Sequence, residues 1–175
     1  MIEKTRIALP MSVWIIGRPN AGKTTAANRL CTLLTSEGYR AVVIDGGALS
    51  RGTIGYTKPD RLKMFKKYIN YSLDIQAEAP DVIPIVATVG GYKSFRDLIR
   101  ETALNPKIIH LACPFNVAVS RDDTYWKALD GKEKNFFGVD VPYESPQRPD
   151  LKIRTDKLNE FHVVRNIRRS LDAIC

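Results

Sequence analysis

Cysteine, histidine and long apolar runs are all scarce in this chain. Its 175 residues include three cysteines, Cys31, Cys113 and Cys175, and two histidines, His110 and His162. An odd number of cysteines at these spacings offers neither a disulfide framework nor a zinc site, which suggests reduced thiols in a cytoplasmic compartment. The histidines stand singly in apolar surroundings and read as structural. No apolar run reaches membrane-spanning length. Residues 1–6 lead into only a short apolar run without a cleavage site, so no secretory signal is expected. No repeat or linker divides the chain. With 44% apolar and 26% charged residues, one α/β domain over 1–175 is the expectation.

Acidic residues are also in the minority: 19 against 27 lysines and arginines, a formal charge of +8. Such an excess raises the question of nucleic acid. The basic residues are spread along the chain in short groups, such as Lys66-Lys67, and no RNA-binding motif or aromatic-basic repeat accompanies them. A small polyanion in a basic cleft explains the charge without a nucleic-acid or membrane partner.

Against this background one stretch stands out. Gly17-Arg18-Pro19-Asn20-Ala21-Gly22-Lys23-Thr24-Thr25 fits G-x-x-x-x-G-K-[ST], the phosphate-binding P-loop. Ser12-Val13-Trp14-Ile15-Ile16 before it reads as a buried strand, and Ala26, Leu30, Leu33 and Leu34 after it give a helix its apolar face. A glycine turn between strand and helix presents backbone N–H groups and the positive end of the helix dipole to an anion. Gly17, Asn20, Ala21, Gly22 and Thr25 are expected to line the phosphates of a nucleoside triphosphate. Lys23 would reach the terminal phosphates, and the Thr24 hydroxyl would ligate Mg²⁺.

The remaining pattern alternates strands and helices. Strands are expected at 41–45, 82–89, 108–112 and 151–154, the last at an edge, with Pro84 an unusual residue inside its strand. Helices are expected at 92–103, at 114–121 and after Asp60, which reads as a cap. In a closing helix Leu158, Phe161, Val164, Ile167, Leu171 and Ile174 would face the core. This order predicts a three-layer P-loop NTPase fold, with a parallel sheet of about five strands flanked by helices. Asp45, at the end of its strand, would face the ligand crevice. Residues 122–150, rich in proline and charge, read as a lid.

No convincing guanine-reading N-K-x-D occurs, and size favours a small-molecule kinase. The ordered landmarks are the P-loop, Asp45-Gly46, Gly55-Tyr56-Thr57-Lys58-Pro59-Asp60-Arg61, Arg121-Asp122 and Asn135-Phe136-Phe137-Gly138-Val139-Asp140-Val141-Pro142-Tyr143-Glu144-Ser145-Pro146. Together they resemble the adenylyl-sulfate kinases, whose N-F-T-G-I-D-x-P-Y-E-x-P the last block matches almost position by position. The resemblance implies transfer of the γ-phosphoryl group of Mg-ATP to the ribose 3′-hydroxyl of adenylyl sulfate. It implies roles for Tyr56 and Phe136 as an aromatic pair around the substrate base, and for Arg61 on its anionic portion. Asp45 would stand beside the reacting hydroxyl and the metal, and Arg121 near ATP. Nucleotides are then the partners, and homodimers are common in the family.

The departures from the family cluster on the acceptor side. Its D-G-D reads Asp45-Gly46-Gly47, and the arginine that follows falls near Ser50, with Arg51 adjacent as a substitute. An asparagine is replaced by Met64. I-S-P-Y-R reads Val89-Gly90-Gly91-Tyr92-Lys93, an exchange expected to loosen a loop and empty volume, and the lid motif R-D-x-K-G-L-Y is shortened to Arg121-Asp122-Asp123-Thr124-Tyr125. A site that loses polar contacts relaxes or redirects its specificity. The readings that remain are an adenylyl-sulfate kinase, a kinase of a related conjugate such as cytidine diphosphoramidate, and a catalytically weak nucleotide-binding regulator.

Overall fold

The computed structural model describes residues 7–50, apart from the Ser50 side chain, and 55–172. Five strands, β1 (Ser12–Ile16), β2 (Arg40–Asp45), β3 (Val82–Thr88), β4 (Pro106–Ala112) and β5 (Leu151–Arg154), form one sheet in the order β2-β3-β1-β4-β5. Every pairing is parallel. The sheet and its flanking helices are those expected from the alternating pattern. Parallel strands need crossovers, and here helices supply them and cover both faces.

The alternation of β1 shows the three layers directly. Val13 and Ile15 enter one core with Leu30 and Leu34 of α1 (Lys23–Ser36) and Val164 and Ile167 of α7 (Glu160–Ser170). Trp14 and Ile16 enter the opposite core with Phe65 and Ile69 of α3 (Lys58–Glu78) and Phe95 and Ile99 of α4 (Lys93–Thr102). All five β1 residues are buried. Burying each large apolar side chain contributes about 1.5–3 kcal/mol, so the strand before the P-loop is firmly anchored.

Three local expectations change. The α3 cap is Thr57, not Asp60: the Thr57 hydroxyl accepts from the Asp60 amide, and the Asp60 carboxylate accepts from the Thr57 amide. This capping box puts Asp60 in the first turn and leaves Pro59 where a missing N–H is harmless. In α7, Phe161 and Leu158 are exposed, and the buried stripe is Val163, Val164, Ile167 and Leu171. Asn159 caps the helix by accepting from the His162 amide, so Leu158 lies before the first turn. The Phe161 ring carries the Arg165 guanidinium 5.4 Å from its centroid. His162 is likewise exposed rather than set in apolar surroundings. Ile174 lies outside the described residues.

Pro84 is accommodated because β3 pairs with β2 from Val82 but with β1 only from Ile85. The proline thus sits before the strand acquires its second neighbour. The 122–150 stretch contains α6 (Thr124–Leu129) after α5 (Phe115–Ser120). It also holds a tight turn in which Asp140 accepts from the amides of Asn135 and Phe136. Asp150 ties its end to β4, with its carboxylate 2.6 Å from the Ile108 amide. No helix among the described residues is long and apolar enough to cross a membrane.

Candidate active site

The P-loop leaves β1 at Gly17, where a Cβ would lie 2.6 Å from the Leu111 carbonyl oxygen; only glycine lets the loop run this close to β4. Asn20 at φ 60° and Gly22 at φ 90° then turn the backbone through the left-handed region into α1. Gly22 is the N-cap of α1, so the loop ends where the helix offers unpaired amides. The Lys23 ammonium donates to the Arg18 carbonyl at 2.8 Å. Desolvation lowers its pKa to about 8, against the opposing pull of the Asp45 carboxylate.

Asp45, the last residue of β2, gathers three donors. Its Oδ2 accepts from the Thr24 hydroxyl at 2.7 Å, and its Oδ1 from the amides of Gly47 and Ala48 at 2.8 and 3.0 Å. The amide contacts cap the short helix α2 (Gly46–Ser50) and fix the carboxylate's orientation. A hydroxyl and a carboxylate side by side form a hard-oxygen set suited to Mg²⁺, which completes its shell with water and phosphate oxygens. Among the described residues no cluster of three or more His, Cys, Asp or Glu side chains forms a self-sufficient metal cage; the pair fits an ion delivered with a nucleotide.

Beside this pair opens a cavity of about 410 Å³. Lys23, Thr24 and Asp45 line it together with Tyr56, Arg61, Met64, Phe65, Phe95 and Phe137. Tyr56, which lines the cavity, is 62% exposed. Arg61 Nε donates to the Tyr56 carbonyl at 3.0 Å, Nη2 donates to the Asn135 carbonyl, and Cζ lies 4.4 Å from the Phe137 ring centroid. On the other side of the P-loop is a second cavity of about 390 Å³, lined by Asn20, Ala21, Gly22, Thr25 and Arg121 among others. Arg121 donates to the Thr155 carbonyl at 2.7 Å and the Asn20 carbonyl at 3.2 Å. The P-loop therefore runs between two chambers, with Lys23 and Thr24 on the first.

Phe136 does not line the first cavity. Its ring packs edge-on against Tyr125 at 4.8 Å, while Phe137 takes the lining position. The volume expected to be empty at Gly90-Gly91 is occupied as well: the Phe137 ring rests on Gly91. Arg51 lies outside the described residues. Phe137 lines the cavity although the motifs give it no role. Arg18 lines neither cavity and reaches from the P-loop to within 5.0 Å of the Tyr143 ring centroid.

His110, on β4, is 4% exposed, and its Nδ1 has no hydrogen-bond partner among the described residues. Burial first, then the charges of Lys152, Arg96 and Arg18, lower its pKa from 6.5 to about 4. The folded protein thus binds fewer protons than the unfolded chain between those values. This contribution to stability is complete above pH 6.5 and is lost as the pH falls toward 4. The full swing is about 3 kcal/mol. Denaturant titrations at pH 7 and 4.5 should show a smaller acid loss for His110→Gln than for the parent; equal losses would contradict the assignment.

A model of the family described as Adenylylsulphate kinase matches residues 9–154. The probable adenylyl-sulfate kinase of Aeropyrum pernix is 36% identical over 162 residues, covering 87% of each chain. Its counterpart in Archaeoglobus fulgidus is 32% identical over 150 residues, covering 83% of this chain and 96% of the relative. The fold is also that of the Mycobacterium tuberculosis APS kinase solved in complex with AMPPNP and APS. The TM-score is 0.83 at 23% identity, over 93% of this chain and 98% of that one.

Proposed function

Because this chain belongs to the adenylyl-sulfate kinase family of nucleotide kinases, we propose that it phosphorylates the ribose 3′-hydroxyl of adenylyl sulfate from Mg-ATP. The product is 3′-phosphoadenylyl sulfate. The observation that carries the reading is one cavity lined by Lys23, Thr24 and Asp45 together with Tyr56 and Arg61. Phosphoryl transfer needs in-line positioning and positive charge more than covalent chemistry.

In this reading the P-loop amides and Lys23 hold the β- and γ-phosphates, and Arg121 lies toward the nucleotide on the far side of the loop. Thr24 and Asp45 would hold Mg²⁺, which would supply charge neutralisation when bound. Asp45 also orients the acceptor hydroxyl and accepts its proton as the oxygen bonds to the γ-phosphorus and ADP departs. Tyr56 stacks on the base, which suits any base because each has a π face. The opposite face belongs to the 135–146 block, where Phe136 packs on Tyr125 and Phe137 lines the cavity. Arg61 meets the acceptor's anionic group. A cytoplasmic setting and a homodimer accompany the reading; light scattering that gives a single-chain mass would contradict the dimer.

Buried Met64, 7% exposed in the cavity wall, favours a second reading in which the acceptor is a related nucleotide conjugate such as cytidine diphosphoramidate. An ADP-release assay with Mg-ATP and adenylyl sulfate, AMP, CDP or cytidine diphosphoramidate separates the two. Turnover with adenylyl sulfate well above the acceptor-free background is expected; turnover only with a cytidine compound would move the function to the second reading.

Gly47→Asp sharpens the comparison. A Cβ at this position would lie 3.1 Å from Asp45 Oδ1, a contact that a shift of a few tenths of an ångström relieves. The added carboxylate would stand at the same cavity, and kcat/KM for adenylyl sulfate should rise several-fold with the ATP KM unchanged. No gain would indicate an acceptor that does not use that carboxylate.

A further inference from the structure

The acceptor side of the cavity holds a contact between residues far apart in the chain. Gly91 follows β3, and Phe137 belongs to the block before β5. A Cβ at position 91 would overlap the Phe137 ring, lying 2.7 Å from Cδ1 and 3.0 Å from Cζ. No side chain larger than hydrogen fits at 91 while the ring holds this position. The ring in turn is well fixed. It is 7% exposed, meets Tyr92 edge-on at 5.4 Å, and lies 4.4 Å from the Arg61 guanidinium carbon.

The backbone holds both partners in register. The Glu144 amide donates to the Gly91 carbonyl at 2.8 Å, and the Glu144 carboxylate accepts from the Lys93 amide. Phe137 bridges to Val141, and the Gly138 amide donates to the Val141 carbonyl at 2.8 Å. Arg61 is thereby set on three sides, by the carbonyls of Tyr56 and Asn135 and by the Phe137 ring face. A guanidinium over an aromatic face is held by the ring quadrupole and gains when desolvated.

We propose that Gly91 and Phe137 form a fitted pair that sets the width of the acceptor cavity and holds Arg61 toward the acceptor's anionic group, making Phe137 a specificity-determining residue of this kinase. The inference deepens the adenylyl-sulfate reading and rests on it. Two features that look separate in the sequence, a glycine where the family has proline and a phenylalanine where it has threonine, are then one exchange: the ring fills the space the glycine opens. The pair acts on the acceptor and leaves the ATP chamber alone, because the ring faces the cavity of Tyr56 and Arg61 and does not line the one beside Arg121.

A double-substitution cycle tests this. KM and kcat for adenylyl sulfate and for ATP are measured on the parent, Gly91→Ala, Phe137→Thr and the double variant. Gly91→Ala should raise the acceptor KM about tenfold with the ATP KM within about twofold, since a misfit of one methyl is worth this much in a shaped pocket. Phe137→Thr should raise it severalfold by releasing Arg61. In the F137T background, adding G91A should change little, because the ring it would strike is gone. Additive effects, or equal changes in both KM values, would overturn the pair.

Unfolding midpoints keep the two ideas apart. G91A should lower the midpoint by roughly 5 °C in the parent and by much less in the F137T background. A parent enzyme without turnover on adenylyl sulfate, together with a coupled midpoint cycle, would refute the substrate and leave the fitted pair. Turnover together with additive midpoints would refute the pair and leave the substrate.

Discussion

Lys23→Ala lowers kcat by roughly 10³-fold or more while the protein stays folded. The ammonium stands at the cavity beside Thr24 and Asp45 and donates to the Arg18 carbonyl. In the proposed mechanism, removing it takes away the ammonium assigned to the β- and γ-phosphates. The side chain is half-buried and belongs to neither apolar core, so the unfolding midpoint should move by only about 2 °C. Steady-state ADP release and a thermal melt measure the two quantities. Full turnover would show that the loop does not bind the donor phosphates; collapse of the melt would make Lys23 a structural residue.

Asp45→Ala has the second largest effect, and it should register in both activity and stability. One carboxylate accepts from the Thr24 hydroxyl and from the amides of Gly47 and Ala48. Its loss uncaps α2 and frees the hydroxyl expected to ligate Mg²⁺. We expect kcat to fall about 10²- to 10³-fold and stability to fall by about 1–2 kcal/mol. Asp45→Asn keeps the shape and part of the cap, so it should recover most of the stability and little of the activity. That split separates the two roles of the side chain. If Asp45→Asn restored turnover as well, the negative charge would have no part in the chemistry.

The sequence disclosed those features whose causes are local. A buried run from Ser12 to Ile16, a glycine turn and an apolar helical stripe are neighbours in the chain, and their geometry follows from spacing. Asp45 was legible for the same reason, at the end of a strand before paired glycines. What escaped depends on contacts between distant segments. The α7 stripe was misassigned by taking Leu158 and Phe161 into the periodicity, although the Asn159 cap starts the helix after Leu158 and the α1 interface selects Val163 and Val164.

On the acceptor side, Gly90-Gly91 read locally as lost volume. Only the fold brings Phe137 onto Gly91. The clue was present as two departures from one family pattern, in blocks that line the same cavity, but nothing local to either block ties one to the other. Phe136 illustrates the converse: the motif match draws attention to it, whereas packing turns its ring to Tyr125 and gives the cavity to its neighbour. The donor side is thus written in motifs, and the acceptor side in tertiary contacts.

The destination of the γ-phosphoryl group is the most direct test of the proposed reaction. The protein is incubated with Mg²⁺, adenylyl sulfate and ATP labelled at the γ-phosphate, and the labelled product is treated with a nucleotidase specific for 3′-phosphates. The account predicts that label moves from ATP into a nucleotide that still carries sulfate, and that the nucleotidase releases it. Label found only in inorganic phosphate, or remaining in ATP with none in a sulfated nucleotide, would contradict it.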